Sequence, residues 1–138
     1  MPSQHCRLVC VEPARVREIW PCVAELIRRA MARGGFSDFA EVERDLHGGR
    51  SLLWLVWDGE KICAAVVTEL RRANGKKFCT IVACAGAERE RWLPLIGELE
   101  AFAMAEGCSA MKIIGRCGWT RALPGYRIKS VVLEKALV

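Results

Sequence analysis

The stretch Ser51 to Ala85, "SLLWLVWDGEKICAAVVTELRRANGKKFCTIVACA", contains three apolar runs separated by two turn pairs. Asp58-Gly59 and Asn74-Gly75 each supply the positive φ angles that a tight hairpin needs, and each lies between runs that favour strands. The stretch therefore predicts an antiparallel meander of Ser51 to Trp57, Ile62 to Leu70 and Lys77 to Ala85. Its near-continuous apolarity leaves no solvent-facing side, so helices are expected over both faces.

Those helices are legible before and after the meander. A short strand, Cys6 to Val11, precedes Glu12-Pro13, which opens a helix with Val16, Ile19, Trp20, Val23, Ile27, Ala30 and Met31 at helical spacing. Pro21 lies inside that pattern and predicts a kink or two successive helices, because it removes a backbone donor. Gly34-Gly35 ends the run, and Ser37 or Asp38 caps a second helix with Phe39, Val42 and Leu46 inward, closed by Gly48-Gly49. After the meander, a helix from about Arg91 turns Trp92, Leu95, Ile96, Leu99, Phe102 and Ala103 inward, with Pro94 in its first turn and Gly107 at its end. Ala110 to Gly115 is then a strand parallel to the one ending at Ala85. A short helical segment around Trp119 to Leu123 leads through Pro124-Gly125-Tyr126 to a final strand, Arg127 to Leu137. The expected order is β-α-α-β-β-β-α-β-α-β, an α+β mixed sheet in one domain spanning residues 1–138, with its ligand crevice at the parallel step.

Composition narrows the function classes. Hydrophobic residues make up 52% and charged residues 27%, as in a globular core rather than a disordered chain. The longest apolar run, Leu52 to Trp57, is far too short to span a bilayer, and the N-terminal residues carry no basic region followed by an apolar signal core. A cytoplasmic protein is the expectation. Most of the eight cysteines then read as buried thiols rather than a disulfide framework. No Cys-x-x-Cys occurs, and His5 and His47 have no spacing to a second ligand, so no metal site is expected. The net charge of +5 is spread along the chain. Arg71-Arg72 and Lys76-Lys77 charge a hairpin tip without an aromatic platform, which argues against specific nucleic-acid binding. Open sheet edges leave a homodimer as an expectation.

Three pieces of the chain resemble the GNAT superfamily of acyl-CoA-dependent N-acyltransferases. "LWLVWDGEKICAAVVTEL" is similar to the family's central hairpin, "WLPLIGELEAFAMAEGCSAMKIIG" to its cofactor-side helix and following strand, and "GWTRALPGYRIKSVVLEKAL" to its last helix, Gly-aromatic corner and final strand. "GRCGW" and the Gly-Tyr ending also resemble a small GNAT-like branch met in phage and prophage genomes. The resemblance implies acetyl-CoA or another acyl-CoA as cofactor and a small-molecule or protein amine as acceptor. It also implies a pantetheine arm paired with the edge of the third meander strand, and a diphosphate on the amides before the next helix.

That place is "ACAGAERERW", Ala83 to Trp92. The candidate cofactor residues are Val82, Ala83, Cys84, Gly86, Ala87, Arg89 and Arg91, joined by Arg116 after the fifth strand. The family's usual loop, Gln or Arg followed by x-x-Gly-x-Gly/Ala, is not matched: Gly86 stands alone, and Glu88 and Glu90 oppose the two arginines. Glu69 is the candidate base, and backbone N–H groups of Val82 to Cys84 are candidates for the thioester oxyanion. Cys84 reads as a packed thiol with no histidine near it in sequence. Where the family commonly has a tyrosine acid, this chain has Trp119, while Tyr126 matches the corner aromatic. Two readings stand: an N-acyltransferase, and a catalytically degenerate GNAT-shaped protein with a binding or assembly role and a protein partner.

Overall fold

The computed structural model describes residues 6–34, 38–115 and 119–138. Its five strands lie in chain order in one sheet, β1 (Arg7–Cys10), β2 (Leu52–Trp57), β3 (Ile62–Ala73), β4 (Lys76–Gly86) and β5 (Ala110–Ile113). The first four are antiparallel neighbours, and β5 runs parallel to β4. The expected turn forms at Asn74-Gly75, whereas at Asp58-Gly59 only Gly59 takes a positive φ, 102°, and the loop runs over residues 58–61. Asn74 and Gly75 both take positive φ, 52° and 76°, and Asp58 Oδ1 accepts from the Glu60 and Lys61 amides at 2.8 and 2.9 Å.

Between β1 and β2 lie α1 (Val16–Gly34) and α2 (Phe39–His47). Val16, Trp20, Val23, Ile27 and Met31, spaced three and four apart, are buried with Val42 and Leu46 against Leu53, Ala65, Val67, Ala83 and Ala85 of the sheet. Asp38 caps α2, its side chain accepting from the Ala40 amide at 3.2 Å. The Trp20 indole donates to Glu43 at 2.6 Å, which ties the two helices together. Pro21 does not divide the first helix. The break comes earlier, between a 3-10 turn over Pro13–Arg15 and α1, and Pro21 is carried inside α1. Proline removes one donor from the helix, whose apolar stripe is nevertheless buried along its whole length.

The opposite face is covered by α3 (Arg89–Trp92), a 3-10 turn at Leu93–Leu95 containing Pro94, and α4 (Ile96–Ala105). One helix from about Arg91 was the expectation. The helical run instead begins at Arg89 and is divided where Pro94 interrupts the α-type hydrogen bonds. Ile96 and Leu99 pack with Trp54, Val66 and Ile81, and a short α5 (Trp119–Ala122) is followed by buried Leu123. The expected final strand, Arg127 to Leu137, is not formed. Residues 127–138 pair with no strand and are exposed throughout, Leu133 and Leu137 each at 90%. Strand propensity alone does not make a ladder: Lys129 lies beside Ala110 and Lys112 of the open β5 edge, yet no strand pairing forms there. Among the described residues no helix is long and apolar enough to cross a membrane.

Candidate active site

The sheet opens between β4 and β5. Their pairing covers only Phe78↔Ala110 to Ile81↔Ile113, and the next bond, from the Ile114 amide to the Ile81 carbonyl, is already long at 3.4 Å. Beyond it β4 runs on to Gly86, paired on its other side with β3 alone. The divergence starts at a β-bulge. Val67 faces Ala83 and Thr68 faces Ile81, so Val82 is an extra residue on β4. The bulge turns Val82 and Ala83 toward the same α1-side core, while Ile81 and Cys84 pack on the α4 side. From Val82 to Gly86 the backbone groups directed away from β3 meet no strand, a ready template for an extended ligand.

The candidate residues on this edge have different local roles. Gly86 is dictated by packing: a Cβ there would lie 2.5 Å from Ala64 Cβ and 2.6 Å from the Cys63 carbonyl oxygen. The turn into α3 is made instead by Glu88, at φ 52° and ψ 56°, a left-handed conformation that costs a non-glycine residue about 1 kcal/mol. Trp92, buried, donates its indole N–H to the Ala87 carbonyl at 2.9 Å and so pins the loop. Arg91 forms an ion pair with Glu88 at 2.9 Å and lies 3.8 Å from Asp58, whose side chain is only 3% exposed. Asp58 is thus held below its ordinary value, first by the Lys61 and Glu60 backbone N–H donors, then by the Cys63 thiol and last by Arg91. Arg89 is exposed at the start of α3 and has interactions of its own. Arg116 lies outside the described residues.

Burial pushes the Cys84 thiol up to about 12. It is a packed thiol, with far too little thiolate at neutral pH to act as a nucleophile. Tyr126 donates to Glu100 at 2.7 Å and is itself shifted upward by burial and that carboxylate, so it fastens the corner after α5 to α4.

Glu69 stands at the other end of the opening. Its β4 partner is Thr80, whereas Gly86 faces Ala64. Five residues of strand separate the two places, roughly 17 Å. The Glu69 side chain is 11% exposed and forms an ion pair with Arg71, but one oxygen has no aligned hydrogen bond. Here β3 continues past Leu52, the first residue of β2. That overhang leaves a cavity of about 260 Å³ lined by Arg50, Thr68, Glu69, Phe102 and Glu106 among others. Thr68 is occupied by the Trp54 indole at 2.9 Å. The Val82 to Arg91 residues are therefore contiguous, while Glu69 is a strand-length away from their diphosphate end. Sequence reasoning missed Asp58 as partner of Arg91, since Asp58-Gly59 signals only a turn. It also missed Arg50 and Glu106 beside Glu69, which no local pattern links. Among the described residues no group of three or more His, Cys, Asp or Glu is placed to hold a metal ion.

No protein-family profile matches the chain, and no curated protein matches it in sequence. Solved structures do match. An aminoglycoside acetyltransferase from an uncultured soil metagenomic sample, in complex with trehalose, is similar with a TM-score of 0.71 at 12% identity, all of each chain being covered. A GNAT family acetyltransferase of Staphylococcus aureus is similar with a TM-score of 0.66 at 12% identity, over 96% of this chain and 99% of that one. A predicted acetyltransferase of Clostridium acetobutylicum, solved with acetyl-CoA, is similar with a TM-score of 0.65 at 10% identity, over 96% of each chain. The split strands, the bulge and the covering helices thus form the GNAT acyltransferase fold.

Proposed function

We propose that the protein is an acyl-CoA-dependent N-acyltransferase that transfers an acetyl or other acyl group to an amine. The observation that carries this reading is the open β4 edge from the Val82 bulge to Gly86, which ends at the turn into α3. An extended pantetheine arm pairs along Val82 to Cys84, and its diphosphate meets Gly86, Ala87, Arg89 and Arg91. Arg116 is assigned to the same anionic end. The arm reaches from Gly86 toward the level of Glu69, the roughly 17 Å given by the strand rise.

At that level Glu69 takes a proton from the acceptor ammonium. The neutral nitrogen attacks the thioester carbonyl carbon, and a backbone N–H among Val82 to Cys84 that the arm leaves free holds the developing oxyanion. Collapse breaks the C–S bond, the amide nitrogen gives up its surplus proton to water, and the CoA thiolate leaves. The acceptor is an amine in the broad sense, a small molecule or a protein side chain; solved neighbours include an aminoglycoside acetyltransferase in complex with sisomicin.

A second reading, a GNAT-shaped binding or assembly protein without acyl transfer, is favoured by one feature. Arg91 already faces two carboxylates, Glu88 and Asp58, and must exchange them for phosphate. Incubation with acetyl-CoA and a panel of amines, followed by mass spectrometry of the amines, separates the readings. The enzyme reading predicts an acetylated product that requires the protein and falls at least tenfold with Glu69→Gln. No product from any amine, together with tight CoA binding, leaves only the second reading.

A further inference from the structure

The end of the sheet away from Gly86 carries positive charge that the fold leaves unbalanced. A cavity of about 360 Å³ opens where the tip of the β3–β4 hairpin meets the start of β5, lined by Asn74, Lys76, Phe78, Ser109, Lys112 and Lys129 among others. Its three lysines come from three places in the chain: β4, β5 and the segment after Tyr126. Among the described residues none of the three forms an ion pair. The adjacent Lys77 shows the contrast, since it donates to the Glu106 carbonyl at 2.8 Å and lies 3.7 Å from the Glu106 carboxylate. Among the paired strand residues 69–73, 76–80 and 110–112 the only acid is Glu69, which Arg71 holds.

Local structure fixes most of the lining. Lys112 lies over the Phe78 ring, 3.6 Å from its centroid, a cation–π contact that keeps its ammonium at the cavity wall. Lys76 opens β4 directly after Asn74-Gly75, whose positive φ angles set the tip. Ser109 ties the entry of β5 to that tip through the Lys77 carbonyl, its amide at 2.8 Å and its Oγ at 3.3 Å. A lysine on an edge strand keeps other chains from pairing there, and this accounts for Lys112 alone. It does not account for Lys76 and Lys129 on the same cavity, where like charges repel until an anion sits between them. Ammonium groups are compact point charges suited to phosphate oxygens. Three of them balance linked phosphates better than a single phosphate group, which carries about −1.5 to −2 at pH 7. The volume lies at the lower end of the ~300–1,000 Å³ of small-molecule sites.

We infer that this cavity binds a small molecule carrying linked phosphate groups, held by Lys76, Lys112 and Lys129. Binding draws Lys129, and with it the segment after Tyr126, against β5. The site is separate from the proposed cofactor edge, because Phe78 and Gly86 are eight positions apart on β4, roughly 26 Å. The inference does not rest on acyl transfer.

The test is calorimetric titration with inorganic pyrophosphate and with ADP, using the full chain, the Lys76→Gln, Lys112→Gln, Lys129→Gln variant and the Arg89→Ala, Arg91→Ala variant. Circular dichroism establishes that each is folded, and the single Lys129→Gln variant, altered only at an exposed residue, stands in if the triple one is not. The expected result is one-site binding of pyrophosphate that is at least tenfold weaker in the triple variant, at least threefold weaker in Lys129→Gln, and unchanged in the arginine variant. Amide exchange at residues 128–131 should slow at least threefold when pyrophosphate is bound. In the arginine variant, ADP bound more tightly than pyrophosphate identifies a nucleotide as the source of the phosphates, and equal affinity a ligand recognised by its phosphates alone. No binding at millimolar pyrophosphate overturns the inference, as does binding that survives loss of the lysines or disappears with the two arginines. A single-stranded oligothymidine bound through the same lysines more tightly than pyrophosphate overturns the assignment to a small molecule.

Discussion

Replacing Gly86 with alanine tests the geometry on which the cofactor edge depends. The added Cβ would lie 2.5 Å from Ala64 Cβ, 2.6 Å from the Cys63 carbonyl oxygen and 2.9 Å from Ala64 Cα. Two of those three atoms are backbone of β3 and cannot rotate away, and Ala64 is itself buried between strand and helix. The clash is relieved only by moving β3 and β4 apart at the register pair Ala64↔Gly86. Overpacking of this kind costs about 2 kcal/mol. For a chain of 138 residues that lowers the melting temperature by roughly 8 °C. Gly97→Ala is the matched control, because a Cβ there meets nothing within 4 Å and better helix propensity should stabilise by about 0.5 kcal/mol. Scanning calorimetry of both variants decides the matter. A melting temperature for Gly86→Ala equal to that of the parent would refute the close approach of β3 and β4.

Trp92→Phe keeps the buried ring but loses the 2.9 Å bond to the Ala87 carbonyl, so urea unfolding should show a loss of about 1 kcal/mol. Asp58 gives a pH dependence with a definite sign. Its folded value lies below the ordinary 3.8, chiefly through the Lys61 and Glu60 amides; its contribution is complete above the unfolded value and is lost as pH falls through the folded one. Asp58→Asn should therefore be less stable than the parent at pH 7, with the gap narrowing as urea midpoints are followed below about pH 4. Cys84, with its thiol near 12, should remain unmodified by iodoacetamide at pH 8 in the native protein, where roughly 1 in 10,000 molecules carries the thiolate. Exposed Cys22 should react under the same conditions, as peptide mass mapping would show.

What could be read from the residues followed from local chemistry. Asn74-Gly75 sets one hairpin because few residues tolerate its φ values, and the other turns at Gly59, φ 102°, with Asp58 accepting from the Glu60 and Lys61 amides. The α1 stripe was equally plain, because Val16 to Met31 repeats at helical spacing. The bulge at Val82 left no trace in the sequence: "TIVACA" is apolar throughout, so an extra residue that swaps faces breaks no alternation. The Arg91–Asp58 contact joins residues 33 positions apart, a partnership only the folded sheet creates. Gly86 attracted a phosphate reading because glycines often serve that purpose, yet its neighbours show a packing requirement. The last segment has the propensity of a strand, and it fails as one because pairing depends on an edge that no local pattern can locate.

The central claim is that the β4 edge and the turn after it hold acyl-CoA. Calorimetric titration of the purified protein with acetyl-CoA and with CoA tests it most directly, alongside the Arg89→Ala, Arg91→Ala double variant. The account predicts one-site binding in the micromolar range, weakened by salt and at least tenfold weaker in the folded double variant. No binding at millimolar ligand, or an affinity unchanged by loss of both arginines, would contradict it.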